Sequence, residues 1–128
     1  MILFKKKIVV TGGEGRFASV LKKTKSNYDY LFPSKKTLNI LNVNSIRKYI
    51  QKYKPKYLLH CAGLSRPMTI HETNFKKSID LNIIGTANVT KICSEYNVKL
   101  IYFSTGYVYE GKIGNYKETN PVLPINKY

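Results

Sequence analysis

The sequence has no tryptophan, two cysteines, three arginines and only seven acidic residues among its 128. Cys61 and Cys93 show no CxxC or CxxH spacing, so they form neither a disulfide framework nor a zinc site by themselves, and we expect both to be small buried residues. No run reaches the roughly 20 apolar residues that a bilayer requires, and residues 1–4 are too short for a secretory signal. We therefore expect a cytoplasmic protein with one globular domain over residues 1–128.

Charge is strongly one-sided, with 22 basic against seven acidic residues and a formal net charge of +15. Nearly all of the basic residues are lysines, scattered between apolar segments, whereas arginine is the residue that reads guanine and phosphate in a bidentate way. This balance predicts nonspecific attraction to polyanions at low salt, but no specific nucleic-acid function. His71 and Glu72 lack the second histidine of an HExxH motif, so we expect no metal site.

Short apolar segments alternate with helical patterns along the chain. We predict strands over residues 7–11, 28–32, 38–40, 57–61 and 99–103, and helices over residues 16–23, from a cap at Asn44 to Pro55, and over residues 74–96. The predicted fold class is α/β, a doubly wound parallel sheet of the Rossmann type with about five strands in the order 3-2-1-4-5. The last strand then lies at an edge.

The apolar residues of the predicted helices recur at helical spacing. They are Phe17, Val20 and Leu21 in the first helix, Ile46, Tyr49, Ile50 and Tyr53 in the second, and Phe75, Ile79, Ile83 and Ala87 in the third. His60 lies within an apolar strand, so we expect a hydrogen-bonded core histidine.

The first predicted strand ends in Thr11-Gly-Gly-Glu-Gly-Arg-Phe-Ala18, a TGxxGxxA pattern. In a strand–turn–helix unit of this kind Gly12 permits the tight turn, Gly15 lets a pyrophosphate approach the backbone, and Ala18 is small enough for the helix to pack on the strand. The backbone groups of Gly12, Gly15, Arg16 and Phe17 are therefore candidates for binding a dinucleotide. The alternative is a tight turn with no ligand.

The end of the second strand carries no acidic residue, whereas NAD is usually held there by an Asp or Glu on the ribose hydroxyls. Ser34 and Lys35 stand there instead, and a hydroxyl with an ammonium group suits a 2′-phosphate. The sequence therefore favours NADP over NAD. The alternative is an ordinary exposed lysine in a lysine-rich protein.

Several motifs together resemble a known family. They are the glycine turn, Cys61-Ala62-Gly63, Asn82, STGYVYEG over residues 104–111, YKETNP over 116–121 and PINKY over 124–128. They resemble the extended short-chain dehydrogenase/reductases, and within these the dTDP-4-dehydrorhamnose reductase-like proteins, whose patterns read STDYVFDG, YxExxxP and PxNxYG.

The resemblance implies roles for individual residues. Thr105 would hold the C4 oxygen of a nucleotide-sugar substrate, Tyr128 would be the general acid, and Arg66 would meet a substrate phosphate. Gly106 replaces the family's Asp. By the resemblance, the YxxxK lysine that tunes the acidity of the tyrosine and the C-terminal sugar-binding lobe both fall outside residues 1–128, so residues 1–128 are an incomplete NAD(P)-binding domain and catalysis by them alone is not expected. The implied cofactor-binding residues are Gly12, Gly15, Arg16, Phe17, Ser34, Lys35, Asn39, Ile40, Cys61, Ala62, Gly63 and Ser104.

Two functions remain open from the sequence. One is NADPH-dependent reduction of a 4-keto nucleotide sugar, for which this chain supplies the cofactor-binding part. The other is a noncatalytic NADP-binding module, either decayed or regulatory, as in the methionine adenosyltransferase β subunit. An exposed edge at the last strand also predicts self-association as salt screens the positive charge.

Overall fold

A computed structural model describes residues 5–128; residues 1–4, which were considered as a signal segment, lie outside the described residues. Its strands are β1 (Lys7–Thr11), β2 (Asp29–Leu31), β3 (Tyr57–His60) and β4 (Lys99–Tyr102). They form one parallel sheet in the order β2-β1-β3-β4. The carboxyl ends of all four strands therefore meet at one edge.

The helices are α1 (Arg16–Leu21), α2 (Val43–Tyr53), α3 (Ile70–Thr73), α4 (Phe75–Ile79) and α5 (Gly85–Glu95). A π-helical turn, Asp80–Ile84, joins α4 to α5, and a 3₁₀ turn covers Gly106–Val108. Each strand is followed by helical structure before the next parallel strand, which confirms the predicted α/β fold class. None of the helices in residues 5–128 combines the length and the apolar character needed to span a membrane.

The hydrophobic core has two parts, one on each face of the sheet. Val9 and Leu58 are fully buried on the face that α2 and α5 cover, where Ile46 and Ile92 pack against them. The opposite face holds a smaller cluster of Ile8, Val10 and Ala18. Successive residues of β1 thus point to opposite faces, as the two-residue period of a strand requires.

The predicted strand over residues 38–40 is wrong, and the described sheet has four strands rather than five. The N–H of Leu38 donates to the carbonyl of Ser34, and the N–H of Asn39 donates to the Ser45 hydroxyl at 3.0 Å. These backbone groups are used in turns and are not available to a neighbouring strand. Leu38 and Ile40 are nevertheless buried in the larger core cluster.

Helix α2 begins two residues earlier than predicted. The cap is Asn42, whose side-chain oxygen accepts from the Ser45 N–H at 3.0 Å, rather than Asn44. The predicted apolar face is confirmed, because Ile46 and Ile50 are buried there. Lys54 ends the helix in the left-handed conformation, immediately before Pro55.

The predicted helix over residues 74–96 is confirmed in extent but not in regularity. The π-helical turn inserts an extra residue per turn, so the faces of α4 and α5 do not continue one another. Phe75 and Ile83 of the predicted apolar row are exposed, while Val89 and Ile92 are buried.

The sheet edge at β4 is exposed, as expected for the last strand of this order. Ile101, Tyr102 and the following Phe103 have 45%, 55% and 50% of their surface accessible. Phe17 of α1, also exposed, contacts Phe103 edge to face with ring centroids 5.1 Å apart. Of the predicted apolar side of α1, Phe17 and Val20 are therefore exposed, whereas Leu21 packs with the buried Ala18 against the smaller core cluster.

Candidate nucleotide and substrate clefts

The glycine turn after β1 is pressed between the ends of two neighbouring strands. A Cβ atom on Gly12, which has φ +68°, would lie 2.9 Å from the backbone N of Ala62 beyond β3. A Cβ atom on Gly13 would lie 2.7 Å from the carbonyl carbon of Phe32 beyond β2. Both positions therefore require glycine. Gly13 was not among the predicted site residues, although the extra glycine beside the motif was a signal for it.

Gly15 serves a different purpose in the same turn. A Cβ atom there would approach only the Gly12 carbonyl oxygen, at 3.1 Å, so its outer side is open. Gly15 caps α1 with no side-chain hydrogen bond, and no acidic residue lies in the first turn of that helix. Lys22 holds the turn from the other side by donating to the Gly13 carbonyl at 2.7 Å.

This turn opens into a cleft of about 270 Å³, which we name the glycine cleft. Among the residues singled out from the sequence, those that line it are Gly12, Gly15, Lys35, Asn39, Ile40, Cys61, Ala62 and Gly63. Gly13, Glu14, Leu38 and Leu81 also line it and were not singled out. Arg16 and Ser34 are not among its lining residues; the Ser34 hydroxyl bonds to that of Thr37 at 3.1 Å.

The residues that line the glycine cleft include one positive and one negative side chain. Lys35 supplies an ammonium group, and Glu14 on the turn supplies a carboxylate. Asp29 is at the amino end of β2, so it lies at the opposite edge of the sheet. The carboxyl end of β2 thus carries a cation without the acidic residue typical of NAD sites.

A buried hydrogen-bond network supports the backbone behind the cleft. The Thr11 hydroxyl oxygen accepts from the N–H groups of Cys61 and Ala62, each at 3.1 Å, and lies 2.7 Å from His60 Nδ1. Since both lone pairs are used, the hydroxyl proton goes to Nδ1, and His60 Nε2–H then donates to the Thr86 hydroxyl at 3.1 Å. His60 is therefore a neutral core histidine, as expected.

Burial lowers the pKa of His60 to about 4. The physical cause is desolvation, which disfavours the charged imidazolium. Burial also raises the pKa of the Cys61 thiol, which is therefore a poor thiolate nucleophile at neutral pH.

A second depression of about 420 Å³, the aromatic cleft, shares Cys61, Ala62 and Gly63 with the glycine cleft. The predicted residues found there are Phe17, Arg66, Ser104, Thr105 and Tyr128. His60, Ser65, Asn82, Tyr102, Phe103 and Tyr107 complete the lining. The structure thus brings together residues that are up to 111 positions apart, from Phe17 to Tyr128.

Thr105 and Tyr128 have distinct surroundings within the aromatic cleft. The Thr105 hydroxyl oxygen accepts from the Tyr107 N–H at 3.2 Å, which leaves the hydroxyl proton available for donation. The Tyr128 ring contacts the rings of His71 and Tyr107, with centroids 4.7 Å and 5.7 Å away. Burial, together with the neighbouring Tyr102 and Tyr107, raises the pKa of the Tyr128 phenol.

The π-helical turn positions the loop between the two clefts. Asn82 accepts from the Leu64 N–H at 2.7 Å and donates to the Leu64 carbonyl at 2.8 Å. A Cβ atom on Gly63 would lie 3.1 Å from the Asn82 amide oxygen, so the loop passes closely over this side chain. These two hydrogen bonds fix the backbone beside Gly63, which lines both clefts.

Comparisons with known proteins agree with this geometry. The chain is similar to the dTDP-4-dehydrorhamnose reductase of Bacillus anthracis in complex with NADP, with a TM-score of 0.91 and 28% identity over 100% of this chain and 46% of that one. It is also similar to the dTDP-4-dehydrorhamnose reductase of Yersinia enterocolitica, with a TM-score of 0.77 and 29% identity over 97% and 44% of the two chains.

Among curated proteins, the chain is 29% identical to methionine adenosyltransferase 2 subunit beta of Xenopus laevis, over 96% of this chain and 39% of the relative. This chain therefore spans about two fifths of the length of that relative. The family model of the RmlD substrate binding domain matches residues 6–128. The chain belongs to the RmlD substrate binding domain family.

Proposed function

We propose that this chain is the NADP(H)-binding part of an oxidoreductase that reduces the 4-keto group of a nucleotide sugar. The observation that carries the proposal is the arrangement of the two clefts. A glycine turn with an open outer side leads into the glycine cleft, and the aromatic cleft with Thr105 and Tyr128 shares a wall with it. A dinucleotide spanning both would place its reactive ring beside these two hydroxyl groups.

The residues of the glycine cleft fit a dinucleotide phosphate. Gly15 offers space where a larger residue would intrude, and the backbone N–H groups at the start of α1 are not capped by a side chain. Lys35 suits the 2′-phosphate of NADP, because it lies in the cleft beyond the carboxyl end of β2. The NADP complex of the Bacillus anthracis reductase supports this choice.

When bound, NADPH supplies a hydride to the C4 carbon of the keto sugar, and the carbonyl oxygen must then gain a proton. We assign the proton to the Tyr128 phenol and a hydrogen bond on the same oxygen to the Thr105 hydroxyl. Burial keeps the phenol protonated at neutral pH but makes it a weak acid, so donation needs a nearby cation. The family's YxxxK lysine supplies that cation, whereas Arg66, which lines the aromatic cleft, is assigned to a phosphate of the substrate.

Calorimetric titration of the chain with NADPH and NADH tests the cofactor. We expect tighter binding of NADPH and loss of this preference in Lys35→Glu. Lys36→Glu is the matched control, because the adjacent Lys36 is exposed and does not line the glycine cleft. Equal or tighter binding of NADH by the unchanged chain would contradict the NADP assignment.

For residues 1–128 alone we expect no measurable oxidation of NADPH by dTDP-4-dehydrorhamnose. General acid–base assistance contributes ~10²–10⁴-fold to such reactions and positioning ~7–11 kcal/mol; residues 1–128 include neither the YxxxK lysine that would tune Tyr128 nor the family's sugar-binding lobe that would position the substrate. Substrate-dependent oxidation of NADPH that disappears in Tyr128→Phe would show that this expectation is wrong.

A noncatalytic NADP-binding module is the second candidate. It is favoured by the identity to methionine adenosyltransferase 2 subunit beta and by Gly106, which stands where the resembling reductases have an acidic residue. Titration with dTDP separates the two candidates. A reductase fragment should bind dTDP, and Arg66→Ala should weaken that binding. A module without a sugar-nucleotide substrate should bind NADPH but not dTDP.

A further inference from the structure

Two adjacent residues of α3 contact two adjacent residues at the end of the described chain. The His71 ring packs on the Tyr128 ring at 4.7 Å, and the Glu72 carboxylate binds the Lys127 ammonium at 3.0 Å. The other Glu72 oxygen lies 3.4 Å from the Lys127 backbone N–H. These contacts join residues more than 50 positions apart, and they hold residues 127 and 128 against α3.

His71 itself is an unusual core residue. Its side chain is 1% exposed, and its Nδ1 lies 2.7 Å from the hydroxyl of the buried Ser78 on α4. Its Nε2 is buried with no hydrogen-bond partner among residues 5–128. A leucine would fill similar space without a buried polar atom, so packing alone does not account for a histidine here.

We propose that His71, oriented by Ser78, is a positioning residue that holds the Tyr128 ring at the wall of the aromatic cleft, with the Glu72–Lys127 ion pair fixing the adjacent backbone. The inference rests on the proposed function, since Tyr128 is the general acid there. No residue after Val98 is buried in the described chain, so the fold itself gives this tyrosine little support. The α3 contacts supply it.

The surroundings of the phenol define what should change when the contact is lost. Tyr102 of β4 and Tyr107 of the 3₁₀ turn face Tyr128, and they raise its pKa together with burial. Arg66 lines the same cleft. A ring released from His71 becomes more solvated, so its pKa should fall towards the ordinary value for tyrosine.

The test uses the 128-residue chain with fluorotyrosine incorporated at position 128 and observed by fluorine NMR. In the unchanged chain we expect one fluorine resonance, at a chemical shift that differs from that of the denatured chain. His71→Ala should move this resonance to the denatured chemical shift and lower the titration midpoint of the phenol. His71→Phe keeps an aromatic ring but cannot bond to Ser78, so it should restore only part of the native signal. Unchanged resonance and midpoint in His71→Ala would overturn the proposal.

A second variant avoids the buried position, in case His71→Ala does not fold. Glu72→Gln removes the exposed ion pair, and we expect it to shift or broaden the same resonance. Glu118→Gln is the matched control, because it removes an equal charge from an exposed site that forms no salt bridge within residues 5–128. Identical signals in both glutamine variants would contradict the proposal.

NADPH titration of the same chains separates this inference from the proposed function. His71 and Glu72 do not line the glycine cleft, so the cofactor affinity should stay unchanged in their variants. A chain that fails to bind NADPH would refute the cofactor proposal, and the fluorine signal would still decide the role of His71.

Discussion

The glycine cleft and the aromatic cleft share a wall but are built in opposite ways. In the glycine cleft, backbone is pressed against backbone, and Gly13 is buried between strand ends. Six of the fourteen residues that line the aromatic cleft come from the segment after Val98, where no described residue is buried. An added Cβ atom at Gly12 or Gly13 should therefore cost far more stability than one at Gly106 beside the aromatic cleft.

Gly12→Ala should give the largest loss of stability. A left-handed residue other than glycine costs ~1–2 kcal/mol, and crowding the Ala62 backbone adds ~1–3 kcal/mol. Gly106→Ala is the control beside the aromatic cleft, where a Cβ atom meets nothing within 4 Å. Denaturant unfolding measures both, and equal midpoints for the two variants would remove the contrast between the clefts.

Acid should weaken the wall that the two clefts share. The pKa of His60 is lowered from 6.5 to about 4 in the folded chain. The free energy of unfolding that depends on neutral His60 is therefore fully present above pH 6.5 and is lost as the pH falls towards 4. At about 1.4 kcal/mol per pKa unit the loss reaches roughly 3 kcal/mol.

Unfolding free energies measured across this window test the effect of His60. His60→Gln should flatten the dependence between pH 6.5 and 4.5, above the range where Glu72 and Glu95, whose pKa values are lowered by Lys127 and Arg47, gain protons. A slope that His60→Gln leaves unchanged would assign the acid sensitivity to other groups.

Gly15→Val should separate binding from folding. The one close neighbour of a Cβ atom there is the Gly12 carbonyl oxygen at 3.1 Å, so we expect a smaller loss of stability than in Gly12→Ala and an NADPH affinity that falls by roughly 100-fold, about 2.7 kcal/mol. Thr105→Val, in the aromatic cleft, should leave NADPH affinity nearly unchanged. Calorimetry measures the NADPH affinity of both variants. Similar losses of affinity in the two would mean that NADPH binding does not depend on the glycine turn.

Self-association at the β4 edge should be the smallest effect. Ile101 and Tyr102 are about half exposed beside open strand hydrogen-bonding groups, and screening over a Debye length of about 8 Å at physiological salt weakens the repulsion of the net +15 charge. Sedimentation from low to physiological salt should show growing association, which Ile101→Lys reduces. A monodisperse monomer at every salt concentration would contradict this.

Local chemistry made much of the glycine cleft predictable. A β-branched apolar run predicted β1, a short apolar run predicted β3, and the glycine spacing predicted the turn, because all three depend on neighbouring residues. Asn39 and Ile40 lie in the cleft although the strand predicted for them does not form. Their side chains are placed by turns whose hydrogen bonds involve Ser34 and Ser45, and no local sequence pattern predicts those hydrogen bonds.

The sequence by itself determined the four strands that form the sheet, their alternation with helices, the α/β class and the position of the glycine turn, because these follow from residue periodicity and from glycine's freedom at φ +68°. Only the tertiary structure decided that Gly13 must fit against β2, that a π-helical turn presents Asn82 to Leu64, and that His71 meets Tyr128. Each of these is a contact between distant segments, so its geometry exists only once the sheet and its helices have packed.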